Sequence, residues 1–236
     1  PDDLAIVSSF GADSAVILHM ISEIDANLPV LFLETGKHFP ETLTYVETLT
    51  HRFGLTNVQP LRPDPADLDR FDPAGTLWET DPDSCCHIRK TEPLDAAVAG
   101  FGGWVTGRKR YQTTERGVLP HFELTSDDRI KINPLAYWTN EDVAAYRKTH
   151  DLPEHPLYGK GYRSIGCAPC TSMVAEGEDP RSGRWRGRNK AECGIHYDVN
   201  ARIARPTAAR EANLFKNVSF IVDPWRQWAE GDAADG

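Results

Sequence analysis

Five cysteines hold most of the chemistry that 236 residues can offer here. Cys85 and Cys86 are adjacent, Cys167 and Cys170 form a C-x-x-C, and Cys193 stands alone in Glu192-Cys193-Gly194-Ile195-His196. An odd count with an adjacent pair makes a poor disulfide framework and reads better as metal or redox chemistry. Four ligands and one spare thiol is the simplest partition. Four thiolates suit a zinc ion and an iron–sulfur cluster equally well. Successive residues on a helix point about 100° apart, so Cys85 and Cys86 can share one centre only through unusual ligation. Cys193 is then the candidate nucleophile, since a thiolate is the reactive form and cations favour it. Arg186, Arg188 and Lys190 precede it, His196 follows, and Gly194 gives the segment room to fold over a substrate.

The remaining chemistry concerns anions. The net charge of −9 argues against general nucleic-acid binding. Yet Arg181, Arg184, Arg186, Arg188, Lys190, Arg202, Arg205 and Arg210 face only Glu192 and Asp198 in one stretch, which suits a small anionic substrate. A solvated charged loop has the same composition. Ser8-Ser9-Phe10-Gly11-Ala12-Asp13-Ser14 lies between an apolar run and an amphipathic one, where backbone N–H groups and a helix N-terminus favour an anion. It lacks the Walker and G-x-G-x-x-G patterns. Arg108 and Arg110, in Gly107-Arg108-Lys109-Arg110, offer planar forks for sulfate or phosphate, as do Arg181 and Arg184. Lys90 stands about one helical turn beyond Cys86.

The elements that must position these residues alternate in type. Strands are expected at Leu4–Ser9, Pro29–Leu33, Asn57–Leu61, Gly103–Thr106, His121–Leu124 and Ile130–Asn133. Helices are expected at Ala12–Ile24, Pro40–Phe53, Cys86–Val98 and from the Thr139–Asp142 capping box to His150. In the second helix Leu43, Tyr45, Val46 and Leu49 are read as inward. Residues 63–82, rich in Pro and Asp, read as irregular with one short helix. The pattern predicts an α/β fold with a doubly wound, mostly parallel, Rossmann-like sheet. Residues 1–153 would form the nucleotide-binding core. Residues 154–236 would be a loop-rich extension of the same domain, with a weakly ordered tail from Trp225. No run reaches the roughly 20 apolar residues of a membrane helix, and no secretory signal is visible. The opening at Pro1 without a Met leads us to expect an upstream piece.

Several of these segments together resemble a known family. The Ser8–Ser14 loop is similar to the S-G-G-x-D-S loop of PP-loop enzymes, the adenine-nucleotide alpha-hydrolase superfamily, with Phe10 in place of a glycine. A bulky residue there implies a different group in the pocket. Leu33-Glu34-Thr35-Gly36-Lys37-His38-Phe39-Pro40-Glu41-Thr42 looks like a segment of the sulfonucleotide reductase branch. Cys85 to Leu94 matches C-C-x-x-R-K-x-E-P-L, and with the C-x-x-C and Glu-Cys-Gly-Ile-His it resembles the iron–sulfur adenylyl-sulfate reductases. The likeness runs from about Ser8 to His196 in consistent order.

That resemblance implies a [4Fe–4S] cluster on Cys85, Cys86, Cys167 and Cys170, and Cys193 as catalytic residue. It implies substrate binding by Ser9, Gly11, Leu33, Thr35, Gly36, Lys90, Gly107, Arg108, Arg110, Arg181, Arg184 and His196. Cys193 would attack the sulfur of adenylyl sulfate (APS), releasing AMP, and thioredoxin would then release sulfite, in sulfate assimilation and cysteine biosynthesis. A cytoplasmic dimer or tetramer, with no nucleic-acid or membrane partner, is the implied setting. The rival readings are a 3′-phosphoadenylyl-sulfate reductase, which typically lacks the four ligand cysteines, a PP-loop ATP pyrophosphatase, and a non-catalytic iron–sulfur or zinc module.

Overall fold

A computed structural model describes residues 3–195. Six strands form one sheet: β1 (Leu4–Ser8), β2 (Val30–Leu33), β3 (Val58–Leu61), β4 (Gly103–Thr106), β5 (Phe122–Leu124) and β6 (Ile130–Ile132). Their order is β3-β2-β1-β4-β6-β5, all neighbours parallel except β5 with β6. Chain direction around the sheet reverses between β1 and β4, which pair from Leu4↔Gly103 to Val7↔Thr106. In open sheets the crevice for ligands lies at such a switch point, beyond the carboxyl ends of the strands.

Both sheet faces are covered, so the central strands are apolar throughout rather than alternating. Ile6, Val30 and Phe32 join α1 (Ser14–Asp25), α2 (Pro40–Arg52) and α7 (Asn140–Thr149) in one cluster. Ala5, Val7, Leu31 and Trp104 join Leu94 and Val98 of α6 (Glu92–Val98) in the other. The expected capping box starts α7: Thr139 Oγ1 accepts from Asp142 N at 3.1 Å, and Asp142 Oδ2 accepts from Thr139 N at 2.7 Å. On α2 the inward set is Thr42, Tyr45 and Leu49, whereas Leu43 is 43% exposed and does not face the core.

Two expectations are corrected where the cysteines sit. Residues 63–82 contain two helices, α3 (Pro65–Phe71) and α4 (Leu77–Thr80), the first capped by Asp64 Oδ1 accepting from Ala66 N at 2.8 Å. The expected helix Cys86–Val98 is not one α-helix. It begins as α5 (Pro82–Cys86), capped by Asp81, widens into a π-helical turn over His87–Thr91, and resumes as α6. Pro93 explains the widening: it has no N–H for the carbonyl of Arg89, and its ring crowds that carbonyl. Glu92 N bonds instead to His87 O, one residue further back.

Beyond Pro153 the described chain has short 3₁₀ turns and one isolated antiparallel bridge, Thr171↔Arg184, with no longer helix or strand. It is stitched to the core by bonds such as Ala168 N to Lys37 O at 2.7 Å. Among the described residues no helix is long and apolar enough to cross a membrane.

Candidate functional site

Cys85, Cys86, Cys167 and Cys170 line one small cavity with Lys37, Trp78, Arg89, Lys90 and Trp185. Two segments 80 residues apart are brought together by the stitching of Ala168 to Lys37 and by the π-turn, which re-aims the side chains that follow Cys86. All five cysteines are free thiols. No carboxylate or imidazole lines the cavity, so its donors are purely sulfur, while its charged residues are cations. A soft, thiolate-bound group with net negative charge fits that donor set. No three candidate ligands among the described residues are gathered tightly enough for a single metal ion.

Each cation has a different attachment. Arg89 is neutralised in place: its Nη2 donates to Asp72 Oδ2 at 2.6 Å and its Nη1 to Thr35 O at 2.8 Å, all buried. Lys37 Nζ donates to Gly75 O at 2.6 Å. Lys90, 8% exposed, is acted on chiefly by sulfur. Burial works against its charge, but the thiols of Cys167, Cys193 and Cys86 outweigh that and hold its ammonium above the ordinary lysine range. Burial pushes the Cys86 thiol up to about 12, partly opposed by Lys90. For Cys167 burial also pushes upward, yet Lys90 and the Thr35 hydroxyl, 3.3 Å from its sulfur, bring it net below the usual thiol value.

Lys90 also lines a second, larger space. This cleft opens at the switch point and is walled by the loops after β1 and β4, by 163–166 and by 174–195. It gathers Ser9, Gly11, Lys90, Gly107, Arg108, Arg181, Arg184 and Cys193 from the expected site. One cation therefore separates four thiols from the fifth. Cys193 is half-buried at the cleft wall. Arg184 presents a buried Nε with no hydrogen-bond partner, and its guanidinium stacks over Trp185 at 4.5 Å.

Other expected residues sit elsewhere. Thr35 and Gly36 border the thiol cavity through Cys167 and Arg89 rather than the cleft. Leu33 is a core residue whose carbonyl meets His38 Nε2 at 2.8 Å. Arg110 turns away: it stacks over Tyr137 at 3.7 Å and its Nε donates to Leu119 O at 2.8 Å. Arg108 lines the cleft, but its guanidinium is bound by Glu123, Asn133 and Thr106. Arg186, Arg188 and Lys190 are tied to Glu178, Glu79 O and Asp83; they do not line the cleft but an adjoining pocket that shares Arg181, Arg184 and Trp185 with it. His196 lies outside the described residues, as do Arg202, Arg205, Arg210 and the tail from Trp225.

Phe10 departs from expectation too. It is fully buried against Phe32, ring centroids 5.2 Å apart, and does not line the cleft. Its φ of 48° turns the phenyl into the core while the loop backbone faces the ligand side. Cleft residues that were not anticipated include Arg116, Arg163, Glu192 as a charged partner, and Lys109, whose buried Nζ donates to Asp13 Oδ2 at 2.9 Å. Lys109 carried a signal, lying two residues after Gly107 in the basic loop. Arg116 carried none, since its position depends on a fold-back through two 3₁₀ turns.

Residues 3–173 match the family described as phosphoadenosine phosphosulfate reductase domain. A Mesorhizobium japonicum protein named adenosine 5'-phosphosulfate reductase is 58% identical over 195 residues, covering 83% of this chain and 76% of that protein. A Gloeobacter violaceus protein named phosphoadenosine 5'-phosphosulfate reductase is 42% identical over 199 residues, 83% of each. The crystal structure of phosphoadenylyl-sulfate reductase from Candida auris, a phosphate complex, superposes with a TM-score of 0.60 at 30% identity, covering 73% of this chain and 83% of that one. Yeast FAD synthetase in complex with FAD shares the fold alone, with a TM-score of 0.52 at 16% identity over 73% of this chain and 59% of that one.

Proposed function

The chain belongs to the phosphoadenosine phosphosulfate reductase domain family, and on that premise we propose that it reduces adenylyl sulfate to sulfite with Cys193 as nucleophile. One observation supports this reading: Cys193 and the anion-binding loops share a cleft, and among the described residues Lys90 is the one cation in the walls of both that cleft and the four-thiol cavity, with Trp185 beside it.

The Cys193 thiolate attacks the sulfur of adenylyl sulfate. An S–S bond forms, the bond from sulfur to the phosphate oxygen breaks, and AMP leaves with the electron pair. The product on the enzyme is a cysteine S-sulfonate. A thiolate of thioredoxin then attacks Cys193 Sγ, sulfite departs, and the second thioredoxin thiol resolves the mixed disulfide. The two electrons come from that dithiol. The chain's own residues position and neutralise charge. Ser9, Gly11 and Gly107 let backbone approach the nucleotide's phosphate, and Arg181, Arg184 and Lys90 face the sulfate. His196 is read as a further substrate contact from the motif alone.

Cys85, Cys86, Cys167 and Cys170 would hold a [4Fe–4S] cluster, which supplies fixed negative charge and a rigid staple between the two cysteine segments. Lys90 keeps that charge from repelling the substrate. Five reduced thiols suit a cytoplasmic enzyme, and assembly as a dimer or tetramer belongs to the same reading.

Anaerobic sulfite release from adenylyl sulfate with thioredoxin, on protein of measured iron content, tests the proposal. Release only from the 3′-phosphorylated nucleotide would instead support the second reading, favoured by the name of the Gloeobacter relative. The ratio of kcat/KM for the two nucleotides decides between them.

A further inference from the structure

The residue before the nucleophile is a buried carboxylate in a cleft built for anions. Glu192 is 7% exposed. Its Oε2 accepts from Arg116 Nη2 at 2.8 Å, and its Oε1 lies 2.7 Å from Arg116 Nε, an ion-pair contact in which the Nε–H is not aligned for a hydrogen bond. Arg181 Nη2 stands 3.4 Å from the same Oε2, and Thr113 Oγ1 donates to Oε1 at 3.3 Å. Arg181 Nη2 also donates to Ala191 O at 2.7 Å, so the Ala191–Glu192 peptide is gripped as well as the Glu192 side chain. A carboxylate aimed into an anion cleft opposes substrate binding by its charge, so its burial there needs a compensating role. The grip ends one bond from Cys193.

We propose that Glu192, held by Arg116, is the positioning residue that seats Cys193 in the cleft. It touches neither substrate nor the reacting sulfur, and acts by fixing the backbone from which the thiol projects. The proposal rests on the reading of Cys193 as nucleophile. Displacing a reacting atom by about 1 Å can cost on the order of 100-fold in rate, so the effect belongs in the sulfonation step rather than in nucleotide affinity. Arg181 shares its guanidinium between this tether and the cleft, whereas Arg116 makes the shorter ion pair with Glu192.

The test uses cluster-loaded enzyme of equal iron content and two readouts. In single turnover with adenylyl sulfate, Glu192→Gln is expected to slow Cys193 sulfonation by about 10- to 100-fold, with KM little changed. Without nucleotide, alkylation of Cys193 by iodoacetamide, followed by peptide mass, is expected to quicken in Glu192→Gln and in Arg116→Lys. Arg116→Lys keeps the charge but loses the guanidinium's Nη2 bond to Glu192, and the double variant should alkylate no faster than either single one. Glu192→Asp should recover part of the sulfonation rate. Wild-type rates of both reactions in Glu192→Gln, or a change confined to KM, would overturn the proposal. Should Glu192→Gln fail to fold, Arg116→Lys and Glu192→Asp give the same two readouts. If wild-type enzyme never sulfonates Cys193, the assigned reaction falls, while the alkylation comparison still decides whether the tether exists.

Discussion

Gly166 and the Arg184 guanidinium compete for one space: a Cβ on Gly166 would lie 2.3 Å from Arg184 Nη2 and 2.5 Å from its Cζ. The bare backbone at Gly166 lets the charged fork lie against the chain at the cleft wall, one residue before Cys167. Gly166→Ala therefore meets only the end of a flexible side chain, and should cost little stability while driving Arg184 out of place. Losing one charge-assisted contact to substrate is worth about 1.5–3 kcal/mol, so KM should rise about tenfold or more. Arg184→Ala should raise it similarly, and the two changes should not add. Steady-state kinetics and a melting curve check this. A large drop in Tm with normal KM would mean that Gly166 serves packing alone.

Lys90 is buried among thiols, with its positive charge raised by them. Lys90→Met keeps much of the volume and removes the charge between cavity and cleft. Removing one preorganised electrostatic partner costs about 100- to 1,000-fold in kcat. Single-turnover sulfite production on iron-matched protein is the measurement, and activity within a few fold of wild type would remove Lys90 from the charge balance.

Much of this site was legible in sequence because its parts are local. The loop after β1, the β4 loop and the two cysteine pairs are short motifs at strand or helix ends, and parallel topology fixes where such ends meet. The four cysteines line one cavity, and eight of the expected site residues line the cleft. What failed depends on tertiary direction. Arg110 and Arg108 are neighbours of the same type, yet one stacks on Tyr137 and the other faces the cleft while tied to Glu123. Residue type does not tell which way a loop side chain turns. Phe10 is another case, since a positive φ sends its ring inward. The π-turn at His87–Thr91 escaped because helical periodicity tolerates one extra residue, although Pro93 marked the spot.

Asp72 is the acidic half of the buried pair beside the thiol cavity. Burial tends to raise its carboxyl, but the Arg89 guanidinium, donating through Nη2, and the Leu77 N–H, 2.9 Å from Oδ1, hold it below the ordinary aspartate range. Asp72→Ala strands the Arg89 guanidinium, and breaking one side of such a pair costs about 3–5 kcal/mol. We expect a clear fall in Tm and loss of iron on purification, because Arg89 also holds Thr35 O next to Cys167. Thermal unfolding with iron analysis checks this, and a wild-type iron content would separate the pair from the cavity.

His155 sets an acid limit on stability away from the site. It is 1% exposed, its ring meets Tyr45 edge-on at 4.8 Å, and Nδ1 accepts from Leu157 N at 3.2 Å, so Nε2 carries the proton toward Thr42 Oγ1 at 3.0 Å. Protonating Nδ1 would set two donors against each other. Burial lowers its pKa to about 4, with Glu41 opposing slightly. In the unfolded chain the imidazole titrates near 6.5. Between these values the unfolded state binds the extra proton, so stability rises with pH across that window. The contribution of the neutral ring is intact above about pH 6.5 and drains away as pH falls toward 4. The Tm should decline over that interval in wild type and much less in His155→Gln, whose amide can replace the donor to Thr42. Equal slopes in the two proteins would assign the acid sensitivity to the carboxylates instead.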